Sequence, residues 1–189
     1  MKGGLFLNKK DLRGKVLELR NSISDEEILN RSTILMNKIK KMEVFNDSKT
    51  ILIYVSFDKE IDTHDMIKDC LKIGKNVVTP ICNTKDRTLI LGKTSMFPEG
   101  FHKTKYGILE LDPKECDHVN IKEIDLIIMP GVAFTKKGER LGYGAGYYDK
   151  LLAQKSLHTI TVAPVFEEFI FEDIPTDKHD MLIDYIISG

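Results

Sequence analysis

Apolar residues recur every three to four positions through the first forty residues, then gather into unbroken runs. Leu12, Val16, Leu19 and Ile23 fall at helical spacing with charges between them, which predicts an amphipathic helix. Ser24-Asp25-Glu26-Glu27 has the form of a capping box, in which the serine oxygen accepts an early backbone N–H and the glutamate reaches back to another. It opens a second helix with Ile28, Leu35, Met36 and Ile39 on one stripe. Residues 50–55 are apolar and β-branched at consecutive positions, as in a strand buried on both faces. Asp62 and Thr63 are placed to cap a third helix carrying Met66, Ile67, Cys70 and Leu71, ended by Gly74. Further strands are predicted at 76–80, 88–91, 107–111, 124–129, 159–163 and 183–187, with another helix near 145–155. Strands alternating with helices predict an α/β protein of three layers, α/β/α, around a mostly parallel central sheet. Ligands bind at the carboxyl ends of strands in such sheets, which directs attention to 56–60 and 130–146. No repeat, linker or low-complexity stretch interrupts the chain, so 1–189 reads as a single domain.

Composition narrows the function. The 189 residues carry 28 Lys+Arg against 29 Asp+Glu, a net charge of −1, without the strongly basic balance of a nucleic-acid binder. The longest uncharged apolar run, 51–55, is far short of the roughly 20 residues of a membrane span. Met1 to Leu7 has one cation and is too short for the apolar region of a signal peptide. Three cysteines, Cys70, Cys82 and Cys116, form no C-x-x-C and read as small buried hydrophobes in a reducing compartment. The five histidines show no metal-ligand spacing. The expectation is a cytoplasmic protein, monomeric or weakly dimeric, with small-molecule partners and neither nucleic acid nor membrane.

Arg140-Leu141-Gly142-Tyr143-Gly144-Ala145-Gly146-Tyr147-Tyr148-Asp149 carries the chemistry. Three alternate glycines let backbone N–H groups approach a ligand without Cβ obstruction. A helix starting at the end of the run adds free N–H groups suited to phosphate. Arg140 can pair bidentately with phosphate oxygens. Asp149 suits Mg²⁺, which takes one or two carboxylates and borrows phosphate oxygens. The bland alternative is a glycine-rich surface turn with a solvated arginine and aspartate. The P-loop pattern is absent, and G-x-G-x-G about a dozen residues after a strand is not the dinucleotide fingerprint.

Pro130-Gly131-Val132-Ala133-Phe134, Gly138 and the block from Arg140 to Asp149 resemble the signature of the 5-formyltetrahydrofolate cyclo-ligase family. Three further blocks follow the family order. Lys9-Lys10-Asp11-Leu12-Arg13 is similar to its K-x-x-L-R. Residues 56–63 resemble its segment around E-[IV]-[DE]-T, and His179-Asp180-Met181 with Asp184 resembles its acidic C-terminal segment. The resemblance implies conversion of 5-formyltetrahydrofolate and MgATP to 5,10-methenyltetrahydrofolate, ADP and phosphate. ATP phosphorylates the formyl oxygen to make a leaving group, and N10 then closes the ring.

The resemblance also implies roles. Lys9, Lys10, Asp11, Leu12 and Arg13 match ATP-binding positions, as do Arg140, Leu141, Gly142, Tyr143, Gly144, Ala145, Gly146, Tyr147 and Tyr148. Lys9 and Arg140 are the implied catalytic cations. Val55, Glu60 and the stretch Tyr143, Gly144, Ala145, Gly146 and Tyr147 match folate contacts; Phe57 is a further candidate for stacking. Asp149 and Asp180 match the magnesium positions, and an antiparallel last strand would carry Asp180 to the edge holding the glycine loop. Tyr148 is expected to pack into the core. On spacing alone, Lys9 and Arg13 read as solvated helix cations and Asp180 as a turn residue. Many relatives have a basic residue where this chain has Ala145, and a glutamine where it has Phe169, so residues 163–169 form a candidate altered pocket wall. Two other readings compete: a non-catalytic folate or nucleotide binder, and a sugar-phosphate or CoA-ester enzyme on a similar fold.

Overall fold

The computed structural model describes residues 8–178 and 180–189; the N-terminal segment Met1 to Leu7 and His179, both named above, lie outside the described residues. Five α-helices occur among these residues: α1 Lys9–Asn21, α2 Asp25–Lys40, α3 Glu43–Asp47, α4 His64–Lys72 and α5 Tyr147–Leu152. Ser24 caps α2 by accepting the Glu27 N–H at 3.2 Å, while the Glu27 carboxylate meets Arg31 one turn on, at 3.3 Å. At α4 the cap falls to Asp62, which accepts the His64 N–H at 3.1 Å. Thr63 is committed elsewhere, donating to the Tyr54 carbonyl at 2.6 Å and accepting from the Ser56 N–H at 3.1 Å.

The strands are β1 Thr50–Ile53, β2 Asn76–Asn83, β3 Thr88–Thr94, β4 Phe101–Lys103, β5 Leu109–Leu111, β6 Asp117–His118, β7 Leu126–Ile128, β8 Ala133–Thr135, β9 Arg140–Leu141, β10 Ile160–Val165, β11 Ile170–Phe171 and β12 Tyr185–Ser188. Seven form the central sheet in the order β12-β10-β7-β1-β2-β3-β6. The pairings from β12 to β2 are all parallel, and β3 and β6 continue the edge antiparallel. The expected α/β architecture with a mostly parallel sheet is therefore observed. Leu52, Val78 and Ile127 enter one core with Leu12, Val16 and Leu152, while Ile51, Val77 and Ile128 enter the other with Phe45, Met66 and Ile67. Consecutive strand residues point to opposite faces, so both faces need apolar cover, and that explains the unbroken apolar runs.

The sequence pattern leaves two features open. The stretch 130–146 is not an open loop, because β8 and β9 pair as a hairpin and β11 joins β8 in a small second sheet. The last strand is parallel to β10, not antiparallel. A parallel strand is entered at its amino end, so residues 172–184 run back across the sheet edge. Ile183 donates its N–H to the Gly138 carbonyl at 2.8 Å, and Asp184 accepts the N–H and hydroxyl of Thr161 at 2.8 and 2.7 Å. Asp180 sits early in this crossing and still reaches the carboxyl edge. Among the described residues, no helix is long and apolar enough to cross a membrane.

Candidate active site

The strand order reverses between β1 and β7, and a cavity of about 490 Å³ opens beyond their carboxyl ends. Such a switch point leaves a crevice because the connections diverge to opposite sides. The exit of β1 supplies Tyr54, Val55, Phe57 and Glu60, and the exit of β7 supplies Pro130. Cys82, Leu89 and Glu110 line it from the β2, β3 and β5 side; α1 contributes Lys9 and Arg13; the crossing segment contributes Asp177 and Asp180. Every residue from Arg140 to Asp149 borders the cavity. The fold thus gathers the separated blocks of the sequence into one place. Lys10, Asp11 and Leu12 do not line it: Lys10 is exposed, Asp11 supplies its N–H to the Asn8 cap, and Leu12 is fully buried in the core.

Arg140 belongs to β9, and only 5% of its side chain is exposed. Its Nη2 donates to Asp149 Oδ1 at 2.8 Å, and its Nε is buried with no partner among the described residues. A buried donor without an acceptor is costly. The glycines serve the arginines as well as any ligand. A Cβ on Gly142 would stand 2.7 Å from Arg140 Nη1, and one on Gly144, whose φ is +98°, would stand 3.2 Å from Arg13 Cζ. Arg13 Nε in turn donates to the Gly142 carbonyl at 2.9 Å.

Lys9 meets Asp177 at 2.7 Å and Asp180 at 2.6 Å. Burial alone would lower its pKa, but the hydrogen bonds to the two carboxylates more than offset that and hold it above the usual lysine value. Glu60 is 7% exposed and its Oε2 accepts the Phe57 N–H at 3.2 Å. Burial pushes its pKa up, against the opposing influence of Tyr143, the Phe57 N–H and the charge of Arg20. Tyr148 packs against the first core, as expected, and its buried hydroxyl has no hydrogen-bond partner among the described residues. Cys82, with its thiol pushed up to about 12 by burial and then by Glu110, is no nucleophile at neutral pH. His64 hydrogen-bonds the Ser56 carbonyl at 3.0 Å and packs edge-on to Phe97.

The sequence reading missed Arg20, Asp177 and the side formed by β2, β3 and β5. Arg20 is buried while Leu19, assigned to the buried stripe, is 44% exposed. The signal was present: Lys9, Arg13, Val16 and Arg20 recur at intervals of four, three and four, a single helical face. Phe169 does not line the cavity. It is 2% exposed and stands 5.7 Å from the Arg20 guanidinium, so the altered segment lies behind the site.

A sequence model of the 5-formyltetrahydrofolate cyclo-ligase family matches residues 7–189. The chain belongs to that family. The 5-formyltetrahydrofolate cyclo-ligase of Mus musculus is 32% identical over 189 residues, covering 95% of this chain and 92% of its own length. The probable cyclo-ligase of Caenorhabditis elegans is 30% identical, covering 95% and 91%. The NMR structure of Aquifex aeolicus 5,10-methenyltetrahydrofolate synthetase matches with a TM-score of 0.83 at 31% identity, over 95% of this chain and 89% of that one. A Mycoplasma pneumoniae synthetase of the same name, at 24% identity and a TM-score of 0.77 over 96% of this chain and 98% of that one, agrees in fold. This cyclo-ligase family member is accordingly an enzyme.

Proposed function

We propose that the protein converts 5-formyltetrahydrofolate to 5,10-methenyltetrahydrofolate with MgATP, releasing ADP and phosphate, and that residues 1–189 act as one domain. The observation that carries the reading is a single cavity joining a cationic wall, Lys9, Arg13 and Arg140, to a buried carboxylate, Glu60. Cations on one side suit a polyphosphate. A carboxylate on the other suits the N–H donors of a pterin ring.

The reaction needs two events in one enclosure. The formyl oxygen attacks the γ-phosphorus and ADP leaves; N10 then attacks the formyl carbon, the phosphate leaves with the former formyl oxygen, and N10 gives up its proton. Lys9, Arg13 and Arg140 hold the phosphates and stabilise charge on the transferring group, as in phosphoryl transfer generally. Tyr147 and Phe57 border the cavity where a flat ring would lie, and Val55 packs beneath.

The donor set fits magnesium. Asp149, Asp177 and Asp180 offer hard carboxylate oxygens at the cavity wall, each beside a cation that a phosphate would share. Among the described residues, no group of three His, Cys, Asp or Glu makes a closed metal cage. Asp149 and Asp180 would hold the ion, and it would neutralise charge on the phosphates. Three free thiols accord with a reducing, cytoplasmic setting.

The test is a spectrophotometric assay with 5-formyltetrahydrofolate, following the near-UV band of the methenyl product. The band should grow only when ATP and magnesium are both present. A flat trace with full substrates overturns the reading.

A further inference from the structure

Glu110 is a buried carboxylate at the cavity wall with no task assigned to it so far. It lies in β5, is 7% exposed, and borders the cavity. Strand β2 runs on to Asn83, but its pairing with β1 stops at Val78, which leaves an open edge along its later part. On that stretch Glu110 Oε1 accepts the Cys82 N–H at 3.1 Å, which fixes where the carboxylate stands. One backbone N–H is thin compensation for a buried carboxylate, which has about four lone-pair sites. The other acids at the wall differ. Asp149 meets Arg140 at 2.8 Å, and Asp177 and Asp180 meet Lys9 at 2.7 and 2.6 Å. Among the described residues, Glu60 and Glu110 enter no ion pair, and each accepts a backbone N–H.

These two carboxylates stand on different walls. Glu60 follows the exit of β1, whereas Glu110 comes from the side formed by β2, β3 and β5. The substrate likewise carries N–H donors in two places. One set lies on the pyrimidine edge of the pterin, opposite Glu60 in the reading above. The other is N10–H, beyond the far end of the reduced ring, on the arm to the benzoyl group. One carboxylate does not reach both. N10 is also the nucleophile of ring closure, and a weak one, because its lone pair is conjugated with the benzoyl ring. An acceptor on N10–H fixes the direction of that lone pair and raises its electron density. Resting on the folate reading above, we propose that Glu110 accepts the N10–H hydrogen bond of the substrate and so aims the N10 lone pair at the formyl carbon.

The same wall suits the arm of the substrate. Leu89 and Ile108 line it with Glu110 and offer apolar surface to a benzoyl ring. Its other polar side chain, the Cys82 thiol, keeps its proton, pushed up to about 12 first by burial, and sulfur is a weak acceptor. Lys9, Arg13 and Arg140 only donate, and Asp149, Asp177 and Asp180 are held by their cations at the phosphate end. Ring closure forms the bond from N10 to carbon and breaks the bond from carbon to the phosphate oxygen, which takes the electron pair. The N10 proton leaves overall on hydrogen phosphate. Phosphoryl transfer precedes this and makes no use of N10, so the role of Glu110 belongs to the second event alone.

Glu110→Met keeps the length of the side chain and removes the acceptor; Glu110→Gln keeps an oxygen for both Cys82 and N10–H. Rapid quenching reads ADP formed in the first turnover, and stopped-flow absorbance reads the methenyl band, so the two events are timed separately. In Glu110→Met, ADP should form at close to the parent's rate while the methenyl band grows about 100-fold more slowly. Glu110→Gln should recover most of that loss. A merely structural role would slow both signals together, and that result overturns the proposal, as does ring closure at the parent's rate in Glu110→Met. An equal loss of closure in Glu110→Gln also overturns it, because the carboxylate would then be removing the N10 proton instead of aiming the lone pair. Glu110→Met leaves the Cys82 N–H without its acceptor. If a thermal melt shows that this variant does not fold, Glu110→Asp, with its acceptor drawn back by one methylene, decides by the same two signals. A parent that forms neither ADP nor methenyl product overturns the functional reading and this proposal with it, whereas an active parent makes the variants a test of Glu110 alone.

Discussion

Arg140 lies in a strand with its guanidinium between Asp149 and the Tyr148 ring, so it cannot be treated as a solvated loop cation. Arg140→Ala would strip Asp149 of its partner as well as removing the proposed phosphate contact, and should cost about 1–3 kcal/mol of stability. Arg140→Lys is the sharper test. It keeps the charge and loses the planar fork, including the unpartnered Nε. We expect kcat/KM for ATP to fall roughly 100-fold with the fold intact, measured beside a thermal melt. Gly142→Ala should reproduce part of that loss, because its Cβ would press on Arg140 Nη1. Retention of full ATP use in both variants would remove Arg140 from the phosphate wall.

Helix α1 and the hairpin of β8 and β9 are the elements that build the cationic wall. Leu12 and Val16 of α1 pack into the core, while Arg13 and Arg20 bond the glycine loop and Lys9 meets Asp180 of the crossing segment. The hairpin is tied to the crossing segment 172–184 at Gly138, whose φ is +91° and whose Cβ would lie 2.3 Å from the Ile183 carbonyl oxygen. Only glycine fits there, for both backbone and space. Gly138→Ala should cost about 2–4 kcal/mol and raise the KM for ATP, since Lys9 and its partner Asp180 depend on where that segment lies. Chemical denaturation and ATP kinetics would check it. A variant as stable as the parent would show that the crossing segment yields freely.

At the scale of the whole molecule, the site draws on the stability of the fold. Glu60 has its pKa raised, first by burial. A raised folded-state pKa contributes stability that is fully present below the unfolded value, near 4.5, and lost as pH rises through the folded value. Ionised Glu60 therefore costs stability at neutral pH. Glu60→Gln should compare more favourably with the parent in melting temperature at pH 7 than at pH 4, while folate binding falls. Glu168 has the opposite sign: its hydrogen bond to Arg31 lowers its pKa, so its contribution is present above about 4.5 and is lost as pH falls through the folded value. A Glu60→Gln melting difference that does not vary with pH would show that Glu60 carries no such cost.

The sequence by itself determined the parallel sheet and the glycine-tyrosine block, because both are written in contiguous residues. The runs around Ile51–Ile53 and Leu126–Ile128 leave no polar face, which only a sheet covered on both sides accommodates. Cation spacing on α1 was equally local, and Arg20 was overlooked only because an arginine is not counted among buried positions. What the tertiary structure alone decided are the partnerships between distant segments: Lys9 with Asp177 and Asp180, Arg140 with Asp149 across the loop, and Arg20 with Tyr143. The direction of the last strand belongs with these, since apolar patterning is the same for a strand read either way. Hydrophobic periodicity records which face of an element is buried. It carries no information about which charged side chain meets which, because that depends on where elements far apart in sequence come to rest.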